Sequence, residues 1–516
     1  MNFLNMLRGR IAFFLLIAVL IREGGFSEVG KNGDYIINTN KCKIPNLPLF
    51  SPELNLTRGP RVNCTNFNPL LTYVKDQKLY INQEAVQKYF ENSSSIKCCY
   101  TNIYRKENRS DPDTGVTVSS CWQFNHSVEL QHDLIWVSCT TFNDFHPLLN
   151  NFPVTPIYEN IHQVIQMKEP LRIKAKRLKK SNTKKPINVL MVVIDSVARL
   201  NFIRTMPLTY NFVMDNGFYE MTGYNKVADN TFPNAMAFLT GLNLNDALDV
   251  CKPTEITGLN NCPFIWNKYR DAGYATAYGE DWSSLATFNY FKKGFKDPPT
   301  DYYFKPYMDA IAYLKQEYQD TMPFCAGPET QGDRILNLAY DFAYKLKSLP
   351  TFGLFWMNTF SHNNIRTPAT MDVNVKEFFQ KLKDSQILDE SIVILISDHG
   401  VRFGDIINTT RGFYELRLPM HYISLPPWFK QQYPLETKNL KDNSKKLISN
   451  YDLYMTLQHI LKLSGANYSI NSCWACRQCR SFFEYIPDDR SCAEAGIPGK
   501  WCTCNVRLSD KSDKDY

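Results

Sequence analysis

The near-unbroken apolar run from Ile187 to Ile194, rich in β-branched residues, constrains this chain more than any other stretch. An alternating pattern would leave one face to water. This run instead reads as a strand buried on both faces, as in a parallel sheet covered by helices. It ends on Asp195. A carboxylate at the carboxyl end of such a strand sits in the crevice where open α/β sheets bind ligands. Further on, NTFPNAMAFLTG places Thr231 just before Phe232-Pro233-Asn234 and a short apolar helix. Pro233 is tolerated in a first helical turn, where its missing N–H would be unpaired anyway. Thr231 Oγ then lies near a helix N-terminus, which favours anions such as phosphate.

The pattern recurs. Strands are expected at Tyr274–Tyr278, Thr351–Met357, Ser391–Ser397 and Met420–Leu425. Helical spacing marks Pro263–Ala272, Gly332–Leu349 and Asn374–Leu388, with Ile335, Leu338, Phe342 and Leu346 on one face of the second. Apolar strands alternating with amphipathic helices predict an α/β core over 187–470, a parallel sheet covered on both faces.

The rest of the chain supplies accessories. Its 516 residues, 44% hydrophobic and 21% charged, are of globular composition. A net charge of +7 is too dilute over that length to argue for nucleic acid, and no basic–aromatic interleaving supports it. Residues 1–27 carry Arg8 and Arg10, the apolar run Ile11–Ile21, and then Gly24, Gly25 and Ser27. That order predicts a secretory signal peptide; the alternative is an uncleaved anchor, making a single-pass type II protein facing the lumen. Fifteen cysteines agree with an oxidising compartment and leave one thiol without an intramolecular partner. Sequons stand at Asn55, Asn63, Asn92, Asn108, Asn125, Asn408 and Asn467, and the crowding of the first five predicts a glycosylated surface.

Residues 28–165 read as a small Cys-rich, mostly β domain, a partner-binding module or a cap on the core. Residues 166–186 read as a basic, exposed linker, whose charge also suits an acidic polysaccharide, lipid headgroups or a processing site. Residues 471–516 form a Cys-rich tail, in which the CWACRQC spacing suits zinc but the compartment favours disulfides.

Three core strands end in residues suited to a metal. The first ends on Asp195; Thr351–Met357 runs into Asn358 and His362; Ser391–Ser397 runs into Asp398-His399-Gly400. In a parallel sheet these ends share one edge, so the side chains can converge. Carboxylates with an imidazole suit Zn²⁺ or Mn²⁺ better than Ca²⁺.

These motifs carry a resemblance. VVIDS, NTFPNAMAFLTG and SDHG, in this order, resemble the alkaline phosphatase and sulfatase superfamily. VVIDSVARLNFIRTMPLT, GEDW, SDHGVRFG, GFYELRLP, YDLYMTL and AGIPGKWCTC more closely resemble the family catalogued as domain of unknown function 229. The resemblance spans roughly Cys42 to Cys504. It implies an alkaline-phosphatase-like three-layer sandwich with a mostly parallel sheet. It implies that Asp195, Asp398 and His399 ligate one metal, with Thr231 Oγ bound to it as the nucleophile. It assigns His362 to a second metal or to substrate, and Asn234 to a phosphate oxygen.

Departures narrow the chemistry. Sulfatases carry Cys or Ser in C/S-x-P-x-R, whereas this chain has Thr-Phe-Pro-Asn with no Arg following, and Gly279-Glu280-Asp281-Trp282 replaces Gly-Lys-Trp-His. Two-metal members place Asp where Asn358 stands and need a late His, for which His421 and then His459 are the candidates. The expected activity is therefore that of a secreted, metal-dependent hydrolase or transferase acting on phosphate esters, of phosphodiester or phosphoethanolamine type. Its substrate would be a phosphorylated small molecule, a lipid headgroup or a glycan. The alternatives are a sulfatase-like hydrolase of extracellular glycans and a non-catalytic extracellular protein retaining the fold.

Overall fold

The Ile187 run becomes the middle of a seven-stranded sheet. In the computed structural model the sheet comprises β1 (Asn188–Ile194), β2 (Tyr219–Glu220), β3 (Ala275–Glu280), β4 (Tyr302–Tyr303), β5 (Thr351–Met357), β6 (Ser391–Ile396) and β7 (His421–Ser424). The structure describes residues 35–505, apart from 52–53, 55–63, 65–68, 90–95, 107–109, 112, 142–144, 147–150 and 182–183. The spatial order is β2-β7-β6-β1-β5-β3-β4. Strands β6, β1, β5, β3 and β4 run parallel, and β7 and β2 add an antiparallel edge. The expected strand near Met420 is thus present, but reversed.

The apolar run is continuous because both faces of β1 are covered. Leu190, Val192 and Ile194 pack among α1 (Pro207–Asp215), α4 (Gln331–Lys345) and α5 (Asp372–Asp384). Val189, Met191 and Val193 pack on the other side with α2 (Thr231–Thr240), α3 (Ile265–Asp271) and α6 (Asn450–Leu463). The result is the expected three-layer α/β sandwich. Helix α4 turns Ile335, Leu338 and Phe342 into one core and is capped by Thr330, whose Oγ1 accepts from Asp333 N at 2.9 Å. Helix α5 ends at Asp384, earlier than its apolar spacing predicts, because Gln386 takes a left-handed φ of 63°.

Glu169–Ser181, within the stretch expected as a linker, is helical, with Pro170 in its first turn and an Arg172–Glu169 ion pair at 2.7 Å. Upstream, a mostly antiparallel sheet joins Lys97–Arg105, Leu134–Thr140 and Tyr158–Gln163. Adjacent Cys98 and Cys99 point to opposite faces of one strand, so they bridge different partners, Cys139 and Cys121. Cys64–Cys325 ties this region to the core, and Cys42–Cys504 ties residues 35–45 to the tail.

In the tail, Cys476–Cys479 and Cys492–Cys502 are disulfides, and Cys473 stays a buried free thiol, the odd one expected. Zinc at CWACRQC is therefore excluded, since two of its three sulfurs are oxidised. Among the described residues no helix is long and apolar enough to cross a membrane. The expected signal and the sequons at Asn55, Asn63, Asn92 and Asn108 lie outside the described residues; Asn125, Asn408 and Asn467 are exposed.

Candidate active site

Strand register brings the expected residues to one edge. Ile194 pairs with Met357 and Val193 with Ile396, so Asp195, Asn358 and Asp398 all follow the same end of the sheet. Ser196, at a left-handed φ of 60°, ties two of these ends together. Its Oγ donates to Asp195 Oδ1 at 2.6 Å and its N–H donates to Asp398 Oδ1 at 3.3 Å. Gly400 follows because a Cβ there would lie 1.8 Å from the Glu415 carbonyl oxygen. The Asp-His-Gly and GFYELRLP motifs are thus two sides of one close contact.

Thr231 is the first residue of α2. Its Oγ1 donates to Asp195 Oδ2 at 3.0 Å and lies 3.4 Å from His399 Nε2. Asp398 Oδ2 is buried with no hydrogen-bond partner among the described residues, 3.2 Å from His399 Nε2. One ligand atom from each of Asp195, Asp398 and His399 falls within 4.8 Å of the others, and all three residues are fully buried. A buried carboxylate oxygen facing an imidazole nitrogen with no donor between them is costly as it stands. Burial accordingly pushes the Asp398 carboxyl up and the His399 imidazole down to about 3, both towards neutrality. Two carboxylates, an imidazole and a hydroxyl fit one divalent cation of the zinc or manganese type, which would relieve that orphaned oxygen.

The remaining expected residues divide. His362 lines a cavity of about 210 Å³ with Thr231, Asn358, Lys292 and Arg402, and its ring packs 5.5 Å from Phe403. Among the described residues it does not join the Asp195–Asp398–His399 group, so the structure brings it to the cavity wall and not to the metal-ligating cluster. Asn234 needs correction. It is fully buried; its Oδ1 accepts from Val227 N and Ala228 N at 3.0 and 3.1 Å, and its Nδ2 donates to the carbonyls of Ala228 and Asn230 at 3.0 and 2.9 Å. Its amide is saturated, so it braces the loop before Thr231 and has nothing left for a phosphate oxygen.

Among the described residues no second carboxylate–imidazole group forms beside the first. Asn358 donates from Nδ2 to Glu280 Oε1 at 3.0 Å, and Asp281 accepts from the backbone N–H of Asn358 at 2.6 Å and the hydroxyl of Thr359 at 2.7 Å. Glu280 also accepts from the Tyr278 hydroxyl and from Thr287 N at 2.9 Å. Burial raises these carboxyls to about 7 and about 6. GEDW is thus a brace for the Asn358 turn. His421 packs between Tyr224 and Phe482, and among the described residues neither it nor His459 belongs to a carboxylate–imidazole group.

Sequence reading missed the basic residues around the site. Lys226 is fully buried, its Nζ donating to the Asp229 carbonyl at 2.9 Å and lying 4.1 Å over the Trp501 ring. Burial lowers its ammonium to about 7. Lys292 sits 4.4 Å over the Phe232 ring, next to Thr231, and burial lowers it to about 8. Arg402 stacks on Phe403 on another wall. The only signal was indirect: Arg402 lies inside SDHGVRFG and Trp501 inside AGIPGKWCTC.

The chain is similar to several solved structures. One is a protein in the alkaline phosphatase superfamily from Vibrio parahaemolyticus, with 16% identity, a TM-score of 0.40, and coverage of 63% of this chain and 81% of that one. Another is the C-terminal periplasmic domain of EcEptC from Escherichia coli, with 14% identity, a TM-score of 0.39, and coverage of 60% and 88%. A third is the lipoteichoic acid synthase LtaP from Listeria monocytogenes, with 12% identity, a TM-score of 0.37, and coverage of 57% and 78%. No curated protein matches the chain in sequence. The motifs that build the site, from the strand before Asp195 to the tail around Trp501, fall within one family match over residues 57–515, and the chain belongs to that family, described as protein of unknown function DUF229.

Proposed function

We propose that this protein is a metal-dependent phosphoric ester hydrolase or transferase of an oxidising, extracytoplasmic compartment, with Thr231 as its nucleophile. The observation that carries the reading is the placement of Thr231 Oγ1, 3.0 Å from Asp195 and 3.4 Å from His399, at the floor of a cavity and the start of a helix. Asp195, Asp398, His399 and Thr231 would hold a divalent cation, which lowers the pKa of a hydroxyl and offsets charge on phosphoryl oxygens. Asp195 Oδ2 already accepts the Thr231 proton and is where that proton goes as Oγ1 bonds to phosphorus. The bond from phosphorus to the leaving alkoxide breaks, and that oxygen takes a proton from solvent. Water, or an acceptor hydroxyl, then bonds to phosphorus as the bond to Oγ1 breaks; the attacking oxygen gives its proton to solvent and Oγ1 takes back the proton held by Asp195, which restores Thr231. The first amides of α2, Lys292 and Arg402 supply donors and positive charge for a phosphate.

The test is turnover of bis(4-nitrophenyl) phosphate, 4-nitrophenyl phosphate, a phosphoethanolamine donor and 4-nitrophenyl sulfate, with metal analysis of the purified protein. A phosphoester should turn over, with one divalent ion bound per chain. Thr231→Ala should lose activity by at least about 10³-fold. Full turnover by that variant, or cleavage of the sulfate alone, would overturn the assignment.

A further inference from the structure

Phe291 is 81% exposed and holds a left-handed φ of 54°, a conformation that a bulky residue seldom adopts. Its ring touches that of Tyr290, itself half exposed, at 4.2 Å. Tyr290 lines the Thr231 cavity, and so does the exposed Phe403, carried on a separate loop. The Phe291 loop reads Tyr-Phe-Lys-Lys-Gly-Phe-Lys-Asp over residues 290–297, three lysines against one aspartate, and Arg402, paired with the exposed Asp229 at 3.5 Å, precedes Phe403. Two separate loops thus raise aromatic rings at the mouth of the cavity, and the Phe291 loop carries an excess of positive charge.

Folding gains little from this arrangement, because Phe291 remains in water and its backbone is held in an unfavourable region. The chemistry fits a bilayer surface. Aromatic rings settle at headgroup depth, and lysines and arginines beside them are drawn to anionic lipid. A protein partner would more naturally meet a continuous patch than rings standing on two loops around an open cavity. We propose that this rim docks the protein on an anionic phospholipid surface, so that a lipid-borne phosphate ester is presented to the cavity. The proposal rests on the phosphoester reading of the Thr231 site for its second half only; the docking is measured without turnover.

The experiment is co-sedimentation of the purified protein with phosphatidylcholine vesicles, with and without phosphatidylserine. Binding is expected only with phosphatidylserine, and it should weaken as salt rises. Phe291→Ser and Lys293→Glu should each lower the bound fraction severalfold, with unchanged thermal melting and unchanged turnover of soluble bis(4-nitrophenyl) phosphate. Thr231→Ala should bind vesicles as the wild type does, which separates docking from catalysis. Equal sedimentation of wild type and Phe291→Ser, or no sedimentation with phosphatidylserine, would overturn the proposal. A wild type that binds vesicles but cleaves no phosphoester would sink the catalytic reading and leave the docking intact.

Discussion

Lys226 and Trp501, far apart in the chain, are joined by an ammonium 4.1 Å over an indole ring. Around that contact the tail clasps the segment leading to the nucleophile. Asn225 Nδ2 donates to the Trp501 carbonyl at 2.9 Å, Thr503 Oγ1 donates to Asn225 Oδ1 at 2.6 Å, and Arg417 donates to the Lys500 carbonyl at 3.0 Å. The disulfides Cys492–Cys502 and Cys42–Cys504 hold the clasp shut. Trp501→Ala should loosen residues 225–231 and displace Thr231. The expected result is a kcat lower by on the order of 10–100-fold with little change in KM, since positioning of the attacking atom is what is lost. Steady-state kinetics on a soluble diester, beside a melting curve that shows the core intact, decides it.

Lys292 makes a pH prediction. Its ammonium is desolvated against Phe232 and held to about 8 instead of the usual 10.5. It is charged below that value and neutral above it. Affinity for an anionic ester should therefore fall as pH rises through about 8, seen as a rise in KM with kcat less affected. Lys292→Met should show the raised KM, by about tenfold for one lost charge-assisted hydrogen bond, at every pH. Lys292→Arg should restore binding and remove the alkaline rise. A KM that climbs identically in wild type and Lys292→Met would assign the effect elsewhere.

Glu415 carries a different kind of prediction. It lies buried between two arginines: Arg204 donates to both its oxygens, one at 2.8 Å, and Arg411 donates to Oε1 at 3.1 Å. The Glu415 carbonyl is also the atom that forbids any side chain at Gly400. Glu415→Gln would leave buried guanidinium charge unmatched, at a cost of about 3–5 kcal/mol. Chemical denaturation should show that loss, and metal content should fall with it, because the Asp398-His399 turn rests on the helix Thr410–Arg417 that carries Glu415.

What could be read in advance tracks how local the physical cause is. The β1, β5 and β6 strands announce themselves because burial on both faces demands unbroken apolar runs, and Asp195, Asp398 and His399 stand at their ends. Thr231 was legible from the helix start that follows it. Asn234 was misplaced because a motif gives the residue but not the direction of its amide, here turned back onto residues 227–230. The reversed β7 was missed because a short apolar strand looks alike in either direction. Lys226 and Trp501 left no local trace, since their contact exists only once the tail has closed over the core.

His421 gives the last test, and it bears on the number of metals. Among the described residues neither ring nitrogen has a hydrogen-bond partner, and Tyr224 and Phe482 pack against the ring at 4.5 and 5.6 Å between centroids. Burial lowers its imidazole from 6.5 to about 3. The unfolded chain therefore binds a proton at a higher pH than the folded one does. The stability this group contributes is full above pH 6.5 and is lost as pH falls towards about 3. His421→Leu should make the acid limb of the stability curve shallower. His162, lowered to about 4, keeps part of that limb in place. At neutral pH the same variant should gain about 1–3 kcal/mol, the usual cost of unpaired buried polar groups. Its metal content should equal that of the wild type. If His421→Leu instead lost a metal ion, the imidazole would be a ligand and the single-site arrangement at Asp195, Asp398 and His399 would be incomplete.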